Sequence, residues 1–399
     1  IPTEDKPFRR EGGKMMQKKT VTVLDVGSSC VIAAAAESGL NNTIVIKGLA
    51  KQSYAGFSDG EFFDKAELDG AVRGCLKQVG ADSGIAPDVV YVGVPGEFIT
   101  VVLKNHRIAF DRSRRIGDAE LNRLYDSAYE LKSRRYSIIN RSGVYFTLDD
   151  GRRVADPVGE TSKSLHGCLS YVLCDKNFID LFTPMILKCG AERAEFVSSA
   201  LAEALYLFAP EVRDRTALLV DIGYITTSLS VVQGDAIIYQ KGFSYGGGYI
   251  AAMLTEFFDI DADIAEKLKR KVNLSVGGEN DSYKVVDGDK EYTFPADKVN
   301  EIVFASLDDL CESIEFCITD SRFVIPEYVP LSLTGGGICL MRGAKEHISR
   351  RLNMVAETLS PDLPNRNSPA DSSLAALMRL ALKQPAKKSG FLKKLFNFK

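Results

Sequence analysis

The sequence predicts an α/β protein in which two related domains face a shared cleft. Residues 21–29 and residues 218–227 repeat one pattern, an apolar strand that ends in Asp-x-Gly and continues into hydroxyl side chains. A third strand, at 329–334, runs into three consecutive glycines. The chain has 399 residues, which is more than one hydrophobic core usually organises. Two copies of one pattern about half a chain apart indicate an internal duplication.

Each copy of the repeated pattern carries groups that bind phosphate. Both pair an acid with a glycine turn and hydroxyl donors, namely Asp25, Gly27, Ser28 and Ser29 in the first copy and Asp221, Gly223, Thr226 and Thr227 in the second. A glycine turn lets backbone N–H groups converge on an anion, and hydroxyls add donors for phosphate oxygens. A carboxylate at a strand end can hold hydrated Mg²⁺, so Asp25 and Asp221 are metal candidates that act through water. A lone copy is more often an ordinary turn, so the prediction depends on both.

Composition and charge limit the function classes. The chain is 45% hydrophobic and 26% charged with a net charge of −3, which argues against nucleic acid as a partner. The eight cysteines include no C-x-x-C pair and the three histidines are far apart, so a zinc site lacks ligands and a reducing cytoplasm fits. No apolar run reaches the roughly 18 residues that span a bilayer, and we expect neither a transmembrane helix nor a signal peptide.

Changes in hydrophobic periodicity divide the chain into parts. The predicted division is a disordered segment at 1–19, a first domain at 20–98 and 175–215 with an insertion at 99–174, a second domain at 216–258 and 325–383 with an insertion at 259–324, a linker at 384–390 and an amphipathic helix at 391–399. Met15 and Met16 are candidate native starts, which leaves the origin of residues 1–14 open.

The first domain begins with strands predicted at 21–26, 31–37 and 42–49, which follow one another as a meander does. Apolar residues at helical spacing predict a helix at 65–79, and a short apolar run predicts a buried strand at 88–94.

The first insertion has a different sequence pattern from the domain that surrounds it. Strand-like pieces at 99–103, 144–148 and 169–173 flank a helix at 118–131, which predicts a small α+β domain. The first domain then resumes with a helix at 175–189.

The second domain repeats the meander and adds two glycine-rich turns. Each turn precedes a helix, and they contain Gly246, Gly247 and Gly248 in the first and Gly335, Gly336 and Gly337 in the second. Such turns let backbone approach a ligand, and a helix start attracts negative charge. Helical runs at 264–271 and 298–316 belong to the second insertion, and a short helix at 374–383 is expected to close the second domain.

The C-terminal residues form an amphipathic pattern. One helical face carries large apolar side chains and the other carries lysines, namely Phe391, Leu392, Leu395, Phe396 and Phe398 against Lys393 and Lys394. A short helix of this kind is suited to a membrane interface with anionic lipids. The alternatives are a groove on a partner protein and a solvated basic tail. Self-association would strengthen a reversible membrane contact through avidity.

Together these parts resemble the superfamily of actin, heat-shock chaperone ATPases and sugar kinases, and within it the bacterial cell-division actin homologue FtsA. The superfamily resemblance rests on residues 25–29, 221–223 and 333–337, and on the glycines at 246–248 followed by 265–267. The insertion at 99–174, which contains Asp156-Pro157-Val158-Gly159, and the amphipathic tail indicate FtsA. The resemblance implies duplicated actin-like (ribonuclease H-like) domains, called 1A and 2A, around a nucleotide cleft, with an FtsA-type 1C insertion and a 2B insertion.

The resemblance also implies a function. ATP with Mg²⁺ would bind with its phosphates between the two hairpins and its adenosine near 246–248, Glu266, Lys269 and 335–337. The protein would polymerise through 1C, bind the C-terminal peptide of FtsZ through 2B, and work with other divisome proteins. The tail would tether FtsZ filaments to the cytoplasmic face of the membrane at the septum.

This sequence departs from the FtsA pattern near the phosphates. Cys30 stands where the family usually has lysine, Tyr224 and Ile225 replace glycines, and Ser228 replaces an acid. A β-branched residue resists positive φ, and the missing carboxylate removes a group that orients water or metal. We therefore expect weakened nucleotide binding, slow or absent hydrolysis, and no catalytic residue. The 2B helix also lacks, near Ser306, the arginine that commonly meets the FtsZ peptide.

Two alternatives stay open. The first is a related actin-fold scaffold such as the pilus-assembly protein PilM, in which the nucleotide is structural. The second is a superfamily kinase, which Ser228 disfavours because a kinase needs a catalytic carboxylate near the hairpins.

Overall fold

The computed structural model describes residues 19–276, 278 and 281–384. Of the segment predicted to be disordered (1–19), residues 1–18 lie outside the described residues, as do residues 385–399 of the predicted linker (384–390) and amphipathic helix (391–399). The strands are β1 (Thr20–Val26), β2 (Cys30–Ser38), β3 (Ile44–Ser53), β4 (Phe57–Ser58), β5 (Glu61–Phe62), β6 (Val89–Val94), β7 (Ile99–Arg115), β8 (Tyr136–Leu148), β9 (Arg153–Val154), β10 (Thr161–Asp175), β11 (Arg193–Ser198), β12 (Ala217–Ile222), β13 (Thr227–Gln233), β14 (Ala236–Phe243), β15 (Ser282–Asp287), β16 (Lys290–Pro295), β17 (Leu331–Thr334) and β18 (Ala356–Thr358). The helices are α1 (Lys65–Ser83), α2 (Asp118–Ala128), α3 (Lys176–Leu187), α4 (Ser199–Leu207), α5 (Pro210–Arg213), α6 (Gly247–Phe258), α7 (Ala262–Lys269), α8 (Ala296–Ser321), α9 (Ala344–Leu352) and α10 (Ser372–Lys383).

Two five-stranded sheets share one topology. The first has the order β3-β2-β1-β6-β11, and the second has the order β14-β13-β12-β17-β18. In each sheet the first three strands form an antiparallel meander, and the last two run parallel to the first strand. The predicted duplication and α/β fold class are confirmed.

The first sheet is covered on one face by α1 and α3. Helix α1 places Leu68, Val72 and Val79 on the side that packs against Leu24 of β1. The Asp64 carboxylate accepts a hydrogen bond from the backbone of the first helical turn at 2.9 Å, which fixes where α1 begins.

Helix α10 covers the other face of the first sheet, so the prediction that it closes the second domain is wrong. Its Leu374 and Leu377 are buried in one cluster with Val21 and Val23 of β1. Because β1 is apolar on both faces, it needs a second cover, and α10 returns from the second half of the chain to provide it. The Lys19 ammonium donates to backbone carbonyls at the end of α10 and so ties this helix to the start of β1.

The insertion after β6 is a four-stranded antiparallel sheet with the order β7-β10-β8-β9 and with α2 on one face. Its strands extend well beyond the predicted strand-like pieces, because their outer ends are polar and half-exposed and carry no apolar run. The opposite face lies against the second domain, where the Ser170 hydroxyl donates to the carbonyl of Ile237 at 2.6 Å.

The second domain is built on α6 and α8. The 26-residue helix α8 presents Val303, Leu307, Leu310 and Ile314 to the core of the second sheet. It is longer at both ends than the predicted run at 298–316. Strands β15 and β16 form an antiparallel hairpin directly before α8. In the part of the chain described, no helix is both long and apolar enough to cross a membrane.

Candidate functional site

A cavity of about 580 Å³ lies between the two five-stranded sheets, a volume typical of small-molecule sites. Most of the predicted site residues line it, namely Asp25, Gly27, Ser28 and Ser29 from the first hairpin, Asp221, Gly223 and Thr226 from the second, Gly335, Gly336 and Gly337 from the loop after β17, and Glu266 and Lys269 from α7. Residues almost 200 positions apart in the sequence therefore meet around one cleft.

The two hairpins have the same turn. The Gly27 amide donates to the Cys30 carbonyl at 3.0 Å, and the Gly223 amide donates to the Thr226 carbonyl at 2.8 Å. The hairpins also touch across the cleft, since the Ile225 amide donates to the Ser28 hydroxyl oxygen at 3.0 Å. The Ser28 hydroxyl proton remains available to a ligand.

Tyr224 and Ile225 fit the second hairpin without backbone strain. Neither residue has a positive φ, so the steric objection to a β-branched residue at this turn does not apply. The Ile225 side chain packs against the apolar core of the first domain instead. The replacement of glycine here adds a contact between the domains.

The two predicted metal residues are half-buried carboxyls in the wall of the cavity. The Ser373 hydroxyl on α10 donates to Asp25 Oδ1 at 2.7 Å. Burial raises the pKa of Asp25 to about 6, although the hydrogen bond from Ser373 and the charge of Lys51 oppose this rise. Burial, together with the negative charges of Asp25 and Glu97, raises the pKa of Asp221 to about 7. Ionising these two carboxyls therefore costs free energy, and a cation bound beside them would reduce that cost.

Two further carboxyls, Glu97 and Glu203, line the same cavity and were not predicted. Glu203 is 1% exposed, and each side chain has one buried oxygen without a hydrogen-bond partner in the described structure. Burial raises the pKa of both, and the charges of Asp221 and Asp25 add to the rise at Glu203. Ser228 lines the cavity as well, so these two acids bring carboxyls to the same cleft in which position 228 lacks one. The available signal was an acid inside the apolar run that forms α4.

These carboxyls fit a hydrated divalent cation. Among the residues that the structure describes, no three possible ligands stand close enough to bind one metal ion directly. Asp25 and Asp221 would hold Mg²⁺ through its water shell, and the unpartnered oxygen of Glu203 would accept a hydrogen bond from such a water. The ion would neutralise charge between the carboxyls and a bound phosphate.

The glycine turns bring three backbone segments into contact. The Gly247 amide donates to the Gly223 carbonyl at 2.9 Å, and the Gly337 amide donates to the Ile222 carbonyl at 2.8 Å. A Cβ atom at Gly247 would overlap Gly337, and one at Gly337 would overlap the Gly223 carbonyl. Glycine is therefore required at positions 247 and 337 so that the backbone segments of the cleft wall can pack together.

Four of the predicted ligand residues do not line the cavity. Gly246, Gly247 and Gly248 lie behind the second hairpin, and the Gly248 amide donates to the Tyr224 carbonyl at 2.6 Å. Thr227 is fully buried in β13, where its hydroxyl donates to the Tyr245 carbonyl. These residues therefore lie behind the wall of the cavity.

The end of the cleft near α7 carries a compact charged cluster. The Lys269 ammonium lies 2.7 Å from the Glu266 carboxylate, donates to the Gly247 carbonyl at 2.9 Å and sits 5.0 Å from the Tyr224 ring centre. Arg270 also pairs with Glu266, at 3.0 Å. The predicted adenosine residues Glu266 and Lys269 are therefore already engaged with each other, and Tyr224 adds an aromatic surface beside them.

Comparisons with known proteins agree on the fold and differ in the family they favour. The family model described as type IV pilus assembly protein PilM matches residues 194–286. The cell division protein FtsA of Buchnera aphidicola is 19% identical over 337 residues, covering 83% of this chain and 80% of that protein. A solved PilM-PilN type IV pilus biogenesis complex matches with a TM-score of 0.61 and 16% identity over 92% of this chain and 99% of that one. MreB 5 of Spiroplasma citri bound to AMPPNP matches with a TM-score of 0.52 and 12% identity over 90% and 94%. This chain has the actin-like fold, and its FtsA relatives are distant.

Proposed function

We propose that this protein is an actin-like scaffold that binds ATP with Mg²⁺, self-assembles and tethers FtsZ filaments to the cytoplasmic face of the membrane at the division septum. The observation that carries the proposal is the cleft, in which two matching hairpins and four carboxyls surround a volume suited to a nucleotide. The similar fold of MreB 5, solved with AMPPNP, supports the same choice of ligand.

The division role draws on two further points. The similarity to FtsA extends over most of this chain and most of that relative. The C-terminal sequence from residue 391 combines apolar and lysine side chains, as an interfacial helix requires. Self-assembly would present many such segments to one membrane and so strengthen a weak contact.

A pilus-assembly scaffold is the second candidate. The family-model match and the PilM-PilN complex favour it. The exposed face of α8 favours it as well, because Asp309 and Glu315 have no ion-pair partner among the described residues, whereas Glu301 pairs with Lys298 and Glu312 with Arg351. An acidic FtsZ peptide would be repelled there.

Nucleotide binding is tested by thermal unfolding. Mg-ATP at about 100 times its Kd should raise the free energy of unfolding by about 2.7 kcal/mol and raise the Tm accordingly. EDTA should reduce the shift, because the phosphates would then face Asp25 and Asp221 without a cation. An unchanged Tm with ATP, ADP and AMPPNP, each with Mg²⁺, would refute the proposal.

Membrane attachment is tested by co-sedimentation with anionic vesicles. The full chain should pellet, whereas a version ending at Gln384 and the variant Leu395→Glu should stay in the supernatant, because the apolar face is lost. Lys383→Gln, outside the amphipathic segment, is the matched control and should pellet as the full chain does. Equal pelleting of the full and shortened chains would remove the membrane role.

The two candidates are separated by a binding experiment with a fluorescent FtsZ C-terminal peptide. Saturable binding to the full chain supports the division role. Absence of binding at high protein concentration, in a sample that still binds nucleotide, would favour the pilus-assembly candidate.

A further inference from the structure

We infer that Lys51, a residue of β3 outside both hairpins, supplies the cation that binds the terminal phosphates of the nucleotide. The inference rests on the proposed nucleotide binding and deepens it, since it assigns one end of the cavity to the phosphates. It also explains how the cleft functions with Cys30 in the first hairpin.

Strand pairing places Lys51 beside the first hairpin. β2 and β3 are antiparallel, with Ile32 opposite Lys51 and Cys30 opposite Ser53. Directly opposed residues point to the same face of a sheet, and Ile32, Lys51 and Cys30 all line the cavity. Lys51 therefore reaches the phosphate turn from the neighbouring strand.

Lys51 differs from the other two cations that line the cavity. Lys269 and Arg270 both pair with the Glu266 carboxylate. No carboxylate in the described part of the chain lies within ion-pair distance of the Lys51 ammonium. Of the described cavity cations, Lys51 is thus the one whose charge is not already paired with an acid.

The pKa shifts of Asp25 and Cys30 agree with a position of the Lys51 ammonium beside the first hairpin. Burial raises the pKa of Asp25 and of the Cys30 thiol, and in both cases the positive charge of Lys51 opposes the rise. The ammonium therefore acts on the turn where the first hairpin would hold phosphate. Lys51 is also exposed at the cleft, so its flexible side chain can follow an entering anion.

The thiol at position 30 and the lysine at position 51 form a consistent pair. A second lysine at position 30 would place two ammonium groups beside each other at one turn, which is unfavourable by Coulomb repulsion. The small thiol of Cys30 leaves room beside the turn for the Lys51 side chain, which then supplies the positive charge there.

The test is calorimetric titration of the full chain with Mg-ATP, Mg-ADP and adenosine. Lys51→Gln should weaken binding of ATP and ADP about tenfold or more, because a charged hydrogen bond to phosphate is lost. Adenosine binding should not change, and Lys51→Arg should retain most of the ATP affinity. Lys47→Gln is the matched control, since Lys47 lies on the same strand but its ammonium is directed to Glu37, 3.9 Å away.

Each other outcome overturns a distinct claim. ATP affinity that is unchanged in Lys51→Gln, in a series where the unaltered protein binds ATP, refutes the role of Lys51. Equal loss of ATP and adenosine binding also refutes it, because Lys51 would then support the structure of the site and not the phosphates. Failure of the unaltered protein to bind any nucleotide refutes the proposed function itself.

Discussion

Replacing Asp221 with asparagine should stabilise the free protein at pH 8 and abolish its Mg²⁺-dependent gain from ATP. The carboxyl is half-buried beside Asp25 and Glu97, and its pKa is raised from 3.8 to about 7. Ionisation in the folded state therefore costs free energy at pH 8, and asparagine removes a cost on the order of 4 kcal/mol. The same change removes a charge that would hold the hydrated cation, so ligand-free and ligand-bound stability should move in opposite directions.

The pH dependence follows from the same shift. Between pH 4 and 7 the unfolded chain releases the Asp221 proton while the folded protein retains it, so the stability contributed by this group falls as pH rises through that range. Asp25, with a pKa of about 6, acts in the same direction. The free energy of unfolding of the ligand-free protein should decline from pH 5 to pH 8, and Asp221→Asn should flatten the decline.

Urea unfolding at several pH values, with and without Mg-ATP, measures both effects. Asp180→Asn, at an exposed position of α3, is the control and should leave the pH profile and the ligand response unchanged. A loss of stability in Asp221→Asn at pH 8 would show that Asp221 makes a favourable contact in the free protein, contrary to its half-buried position among like charges.

Gly337→Ala should cost about 3 kcal/mol or prevent folding. A methyl group at this position would overlap the Gly223 carbonyl and approach that of Ile222, both of which are backbone atoms held in the second hairpin. A backbone segment that is hydrogen-bonded on both sides cannot move aside as a side chain does, so the cost lies at the upper end for overpacking.

The matched control is Gly70→Ala on the exposed side of α1, where a Cβ atom would meet nothing within 4 Å. It should stabilise the protein by about 0.5–1 kcal/mol through helix propensity. Chemical denaturation of both variants provides the comparison. Equal, small changes in the two variants would mean that the three glycine segments are not packed as the structure has them.

The sequence allowed the hairpins and the glycine turns to be predicted because each is a local pattern with its own turn chemistry. It did not indicate that Gly246–Gly248 would face the second hairpin, because glycine serves ligand approach and backbone packing equally well. Glu97 and Glu203 were missed for a different reason. They reach the cleft only through the tertiary arrangement: the apolar run of α4 shows that Glu203 is buried but not what it faces, and no nearby residue in the sequence marks Glu97.

Two other features were predicted incorrectly because they depend on contacts between distant parts of the chain. The pattern of α10 predicted a helix correctly, but its partner surface on β1 begins more than 340 residues earlier in the chain. The effect of Ile225 was also misjudged, since the sequence predicts the steric preference of a β-branched residue but not the φ that the turn adopts.

The hydrogen bond between Ser373 and Asp25 links α10 directly to the cleft. One end of this helix contacts a carboxyl of the candidate nucleotide site, and the other leads to the C-terminal segment. Anything that alters the charge of Asp25 changes the energy of the contact that holds α10. By thermodynamic reciprocity, a displacement of α10 that broke this hydrogen bond would change the affinity of the cleft for a ligand that binds beside Asp25.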